Sequence, residues 1–178
     1  MGIVIKDLKI LRDFVNEDRN NGKRIVFANG CFEILHVGHI RFFKEAKTLG
    51  HILIIATNSD KTLLELGKRK EIIVPEDERL EVLTAIKYID YVTVMNELTA
   101  DKLLSELRPD INVKGPDYTQ DDVLEKETIK SYGGKTIIVC KDKKHSTSDI
   151  FMKIRKSDIN FDFICPKKRM ENIWKLNK

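Results

Sequence analysis

Between its first strong apolar run and its first amphipathic stretch the chain reads Asn29-Gly30-Cys31-Phe32-Glu33-Ile34-Leu35-His36-Val37-Gly38-His39. Two imidazoles stand three positions apart where a helix would begin. Residues at i and i+3 share a helix face, so His36 and His39 can address one ligand. The free N–H groups of a helix start attract anions. Gly38 lets a phosphate approach the backbone, and Gly30 offers a second close approach. The chemistry this allows is the gripping of a polyphosphate. The chain has no GxxxxGK[ST] and no GxGxxG, so neither the P-loop nor the dinucleotide fingerprint accounts for it. A histidine pair at a helix start is also met on plain surfaces, in satisfied cores and in metal sites. No third metal ligand at a sensible spacing is visible.

The elements that would position this loop follow from the hydrophobic pattern. Asp7 to Asn21 predicts an opening helix, with Leu8, Leu11, Phe14 and Val15 at helical spacing. Arg24 to Ala28 is a short apolar run suited to a strand covered on both faces, and Gly38 to Leu49 predicts a helix stopped by Gly50. The alternation then repeats. Strands are expected at 52–56, 91–95, 111–113 and 136–140. Helices are expected from Asn58-Ser59-Asp60 through Leu66, from Pro75-Glu76 to about Ile89, and over 101–107, 121–132 and 148–156. Strands alternating with helices predict an α/β, Rossmann-like, doubly wound parallel sheet of five strands with helices on both faces. In such sheets ligands sit beyond the carboxyl ends of the strands, at the switch point. That edge would carry the histidine loop, Asn58 and Asp60 after the second strand, and Lys114, Gly115, Asp117 and Tyr118 after the fourth.

Composition narrows the class. The chain has 178 residues, 42% of them hydrophobic and 34% charged, with a net charge of +4. This fits one domain, taken as 1–156 with its N-terminal helix at 7–21, and a basic, aromatic tail at 157–178 of no readable role. No stretch nears the roughly 20 apolar residues a bilayer requires, and the first ten residues lack a signal peptide's apolar core. A cytoplasmic protein without a membrane span is therefore expected. The charge balance is too weak to argue for nucleic acid. Cys31, Cys140 and Cys165 form no CxxC pair, so no disulfide framework or zinc site is read from them.

The stretch from Ile25 to Gly50, with His36-Val37-Gly38-His39 at its centre, resembles the HxGH nucleotidyltransferases related to the class I aminoacyl-tRNA synthetases. Asn58-Ser59-Asp60, Arg79 within Pro75-Glu76-Asp77-Glu78-Arg79, and Tyr88-Ile89-Asp90-Tyr91-Val92 are similar to the cytidylyltransferase-like branch. So are Arg108-Pro109-Asp110, Val113-Lys114-Gly115 with Asp117-Tyr118, and Gly133-Gly134. Within that branch the likeness is strongest to the adenylyltransferases acting on D-glycero-β-D-manno-heptose 1-phosphate, and it covers about Lys9 to Ile154.

The resemblance implies transfer of AMP from ATP to a sugar 1-phosphate, with pyrophosphate released. An alternative is transfer from CTP to glycerol 3-phosphate or another polyol phosphate, and a second is a nucleotide-binding protein without turnover. The resemblance further implies a homodimer and Mg2+ held mainly through the phosphates. His36, His39 and Arg79 would be catalytic. Asn29, Gly30, Cys31, Phe32, Gly38, Lys114, Gly115, Asp117, Tyr118, Ser146, Thr147 and Ser148 would bind the nucleotide. Asn58, Asp60, Lys68, Arg69 and Lys70 would meet the acceptor. Plainer readings stand beside several of these: a helix salt bridge for Arg79, a helix cap for Asp60 and for Ser146, and a wet basic turn for Lys68 to Lys70. Relatives usually carry Asp where this chain has Glu33, and Gly where it has Pro116, which removes one backbone donor.

Overall fold

Aliphatic and β-branched runs covered on both faces build the sheet. In the computed structural model, which describes residues 1–67, 70–119, 121–140 and 146–157, the order is β1 (Ile3–Val4), α1 (Leu8–Asn20), β2 (Ile25–Gly30), α2 (Val37–Thr48), β3 (Ile52–Asn58), α3 (Asp60–Glu65), α4 (Glu76–Thr84), β4 (Tyr91–Met95), α5 (Asp101–Leu107), β5 (Ile111–Lys114), α6 (Lys126–Ser131), β6 (Lys135–Ile138) and α7 (Thr147–Lys156). The chain divides into two units, Met1–His145 and Ser146–Lys178. The whole sheet lies in the first.

All strand pairings are parallel, in the order β1-β4-β3-β2-β5-β6. The expected fold class holds, with six strands instead of five. The extra strand, β1, is two residues long and exposed, too short to leave a period in the sequence. Its segment is fixed by Gly2, Ile3 and Ile5 N–H groups donating to Thr84, Asp90 and Val92 carbonyls.

The helices cover both faces. Leu11 and Val15 of α1, Leu103, Leu104 and Leu107 of α5 and Ile129 of α6 pack with Ile25, Phe27, Ile52 and Ile54. Phe43 and Ala46 of α2 and Leu80 and Leu83 of α4 pack with Val26, Ala28, Leu53, Ile55 and Val92. Ile111 and Val113 belong to the second cluster, so alternation turns Asn112 and Lys114 towards α5 and α6. Gly50 is needed for space: a Cβ there would lie 2.6 Å from Val26 Cγ2 and 2.8 Å from the Arg24 carbonyl oxygen.

Two helices are shorter than expected. α4 ends at Thr84, and Ile86, Tyr88 and Ile89 pack on the second cluster without being helical. α6 starts only at Lys126, which leaves Glu125 at the N-cap position. In the second unit Ser146 Oγ caps α7 by accepting from Asp149 N–H. Among the described residues no helix is long and apolar enough to cross a membrane.

The chain leaves β2 towards β3 on one side of the sheet, and later crosses to place β5 on the other. The switch point therefore falls between the carboxyl ends of β2 and β5.

Candidate active site

The histidine loop leaves β2 at Gly30 and re-enters regular structure at α2. His36 is the N-cap, extended at φ −144° and ψ 172°. Its Nδ1 accepts from Gly38 N–H at 3.1 Å, and His39 Nδ1 accepts from His36 N–H at 3.3 Å. An imidazole nitrogen that accepts carries no proton, so each neutral ring must hold its proton on Nε2. The ring centroids are 4.0 Å apart. Burial, and then the neighbouring His36, push the His39 pKa down to about 4. At neutral pH His39 is an uncharged hydrogen-bond donor whose tautomer is set by the backbone.

Phe32 backs this pair. Its backbone sits in the left-handed region at φ 45°, a conformation costing on the order of 1–3 kcal/mol for a residue with a Cβ. The buried ring lies edge-on to His39, centroids 5.6 Å apart, and 5.2 Å from Phe43. It also crowds Gly30, where a Cβ would meet Phe32 Cζ at 3.0 Å.

Across the switch point, Lys114 Nζ donates to Asn29 Oδ1 at 2.8 Å and pairs with both Glu125 oxygens, at 3.3 and 3.2 Å. Lys114 and Glu125 are 4% exposed each. The ammonium lies 5.3 Å from the Tyr118 ring centroid.

The third assembly centres on Arg79, whose side chain has no exposed surface. Nε donates to the Val74 carbonyl. Nη1 reaches the Cys31 carbonyl, Thr57 Oγ1 and the Asn58 carbonyl at 3.0, 2.7 and 2.7 Å, and Nη2 reaches Asp60 Oδ1 at 2.7 Å. Asp60 Oδ2 accepts from Glu76 N–H, so the same carboxylate caps α4. Beside it, Glu33 Oε1 accepts from Ile73 and Val74 N–H groups.

Residues 27–173 match the cytidylyltransferase-like family. The chain belongs to that family. The class of chemistry is accordingly nucleotidyl transfer. The chain is 39% identical over 153 residues, 86% of its length, to a protein named Bifunctional protein HldE from Geobacter sulfurreducens. It is 41% identical over 144 residues, 81% of its length, to the protein of the same name from Syntrophotalea carbinolica. These matches cover 31% and 29% of those relatives, so the chain spans about a third of their length. Among solved structures, a lipopolysaccharide core biosynthesis protein from Thermoplasma volcanium is 33% identical with a TM-score of 0.57, covering 66% of this chain and 94% of that one.

With the family in hand, the expected site residues sort by position. His36, His39, Asn29, Gly30, Cys31, Phe32, Gly38, Lys114, Gly115, Asp117 and Tyr118 all fall on the loops and strand ends that meet at the switch point of this cytidylyltransferase-like sheet. Several of them have partners within the protein. Gly38 N–H is used by His36 Nδ1. The Lys114 charge faces Glu125 and Asn29. Gly115 has open space where a Cβ would stand, so packing does not require glycine there.

Arg79, expected from the likeness to be catalytic, is held by protein contacts in this structure. It is a buried clamp joining four chain segments, with every donor nitrogen engaged by protein. Asn58 and Asp60 belong to the same clamp, through the Asn58 carbonyl and the Asp60 carboxylate. Lys70 is exposed, and Lys68 and Arg69 lie outside the described residues. Ser146, Thr147 and Ser148 open α7 in the second unit.

Glu125 and Thr57 were not legible as site residues. Glu125 reads in sequence as one more acid on an exposed helix, and no local signal pairs it with Lys114. At this edge the donors are the Lys114 ammonium and the Nε2–H groups of His36 and His39, beside the Glu125 carboxylate. Among the described residues no cluster of three or more His, Cys, Asp or Glu is placed to hold a metal.

Proposed function

We propose that this cytidylyltransferase-like chain transfers AMP from ATP to a sugar 1-phosphate, D-glycero-β-D-manno-heptose 1-phosphate, releasing pyrophosphate. The observation that carries the reading is the imidazole pair of His36 and His39, both Nδ1 atoms tied to backbone N–H groups. The acceptor phosphate is already an anionic nucleophile, so the protein need supply no nucleophile. Its work is orientation and charge stabilisation at the α-phosphate. The two Nε2–H groups would hydrogen-bond phosphate oxygens as negative charge moves towards the leaving pyrophosphate. Because their tautomers are set beforehand, no reorganisation is needed at that moment. Phe32 keeps the His39 ring from turning.

Arg79 acts at one remove, holding the Cys31 carbonyl and the end of β3 in register. Ser146, Thr147 and Ser148 would supply further donors to the phosphates, and Lys68, Arg69 and Lys70 would meet the acceptor. Magnesium would arrive with the triphosphate and lower its charge; no side chain is assigned to it. A homodimer working in the cytoplasm completes the proposal.

The likeness to the HldE proteins and to a lipopolysaccharide core biosynthesis protein supports the sugar-phosphate acceptor. The cytidylyltransferase-like family supports a second reading in which CTP is the donor, with glycerol 3-phosphate or another polyol or sugar phosphate as acceptor. The deciding experiment crosses four nucleoside triphosphates with sugar and polyol phosphates and measures pyrophosphate. ATP with the heptose 1-phosphate is expected to give the highest kcat/KM. A winning CTP and glycerol 3-phosphate pair would replace the reading, and saturable nucleotide binding with no turnover would reduce the chain to a binding protein.

A further inference from the structure

The Lys114–Glu125 pair stands where an apolar pair would serve stability as well. Taking two charges out of water costs several kcal/mol per ion, and replacing such a pair by well-packed apolar side chains is often neutral or stabilising. Here the pair lies at the carboxyl end of β5, at the switch point, and its third partner is Asn29 on the facing strand β2.

The geometry runs in one direction. Glu125 is anchored by Ala100 N–H, which donates to its Oε1 at 3.3 Å. Its two oxygens then fix the ammonium. An ammonium can only donate, so the oxygen of the Asn29 carboxamide must face Lys114 and its NH2 must face the other way. Asn29 Nδ2 accordingly lies on the side of Met95 Sδ, 3.9 Å away at the end of β4. A weak sulfur acceptor leaves that amide able to exchange partners when a better oxygen arrives.

We infer that Glu125 is a positioning residue of the nucleotide crevice: by fixing Lys114 against Asn29, it presents a set cation and a set amide donor to the oxygens of a bound nucleoside triphosphate. The inference rests on the nucleotidyl-transfer reading of the site. Glu125 touches no ligand itself; it acts through Lys114 and Asn29. Among the described residues, the Tyr118 ring lies beneath the ammonium, and burial together with Glu125, Cys31 and Asp117 raises the Tyr118 pKa.

The test separates fold from crevice. Binding of ATP, CTP, GTP and UTP with magnesium is measured by calorimetry, and stability by urea unfolding, on the full chain. Glu125→Gln is expected to weaken binding of the preferred nucleotide about tenfold or more, as for loss of a hydrogen bond to a charged group. The Lys114→Met/Glu125→Leu double variant is expected to regain the urea midpoint but not the affinity. Glu125→Asp keeps the charge on a shorter arm; it is expected to fold and to bind more weakly than wild type. A double variant that regains both midpoint and affinity, or a Glu125→Asp protein that binds as wild type does, overturns the inference and leaves the function standing. A wild-type chain that binds none of the four nucleotides overturns the functional reading, and this inference with it.

Discussion

Phe32 meets His39 edge-on at an interplanar angle of 75°, with its own backbone held at φ 45°. The residue that keeps the imidazole in place is thus itself in a conformation that a side chain disfavours. Phe32→Ala should lower kcat well before it unfolds the protein, because it removes the wall beside His39 and leaves the sheet intact. The loss in stability should be about 3–5 kcal/mol for a buried phenyl. Steady-state kinetics beside urea unfolding checks both, and an unchanged kcat would remove the backing role.

His39→Ala should reduce turnover by ~10²–10³, the usual cost of one lost transition-state donor. His36→Ala should do the same and also cost ~1 kcal/mol of stability through the lost N-cap. Pyrophosphate release and thermal unfolding on both variants test this. A His39→Ala enzyme with a near-normal rate would sink the mechanism.

The pH dependence of stability follows from the same ring. In the folded protein the His39 pKa is about 4, below the ordinary 6.5. Folding therefore favours the neutral form. The contribution is complete above pH 6.5 and is lost as pH falls from there through 4, since the unfolded chain takes up the proton first. Imidazole proton NMR should show His39 titrating near 4. A midpoint near 6.5 would contradict the burial that sets it.

Arg79→Ala should cost about 3–5 kcal/mol, the range for breaking a buried pair. It leaves Asp60 and three carbonyl groups without their partner. Arg79→Lys should restore only a part, because one ammonium cannot span so many acceptors. Chemical denaturation decides the matter. A stable but inactive Arg79→Ala enzyme would return this side chain to direct contact with substrate.

Gly50→Ala should destabilise by about 1–3 kcal/mol, as its methyl would enter the space of Val26 Cγ2 and the Arg24 carbonyl. A thermal midpoint equal to wild type would show that the α2–β3 junction relaxes.

The central strands were legible because β2, β3, β4 and β5 are covered on both faces and so read as apolar runs. β1 was not, being two exposed residues fixed by bonds to β4. The end of α4 was misjudged because Ile86 and Ile89 are apolar for packing, without being helical. The histidine pair was visible since its geometry is local to one turn. The partners of Arg79 and Lys114 were not, because the contacts that define them join residues 48 and 11 positions apart and arise only once the sheet has formed.

The Arg79 clamp also orders events during folding. It collects acceptors from the ends of β2 and β3, from α3 and from the strand-free segment at Val74, and each of those loops must close before the guanidinium is satisfied. Local helices form early and distant contacts late. A refolding chain is thus expected to regain its helical circular-dichroism signal before these four segments are locked to one another.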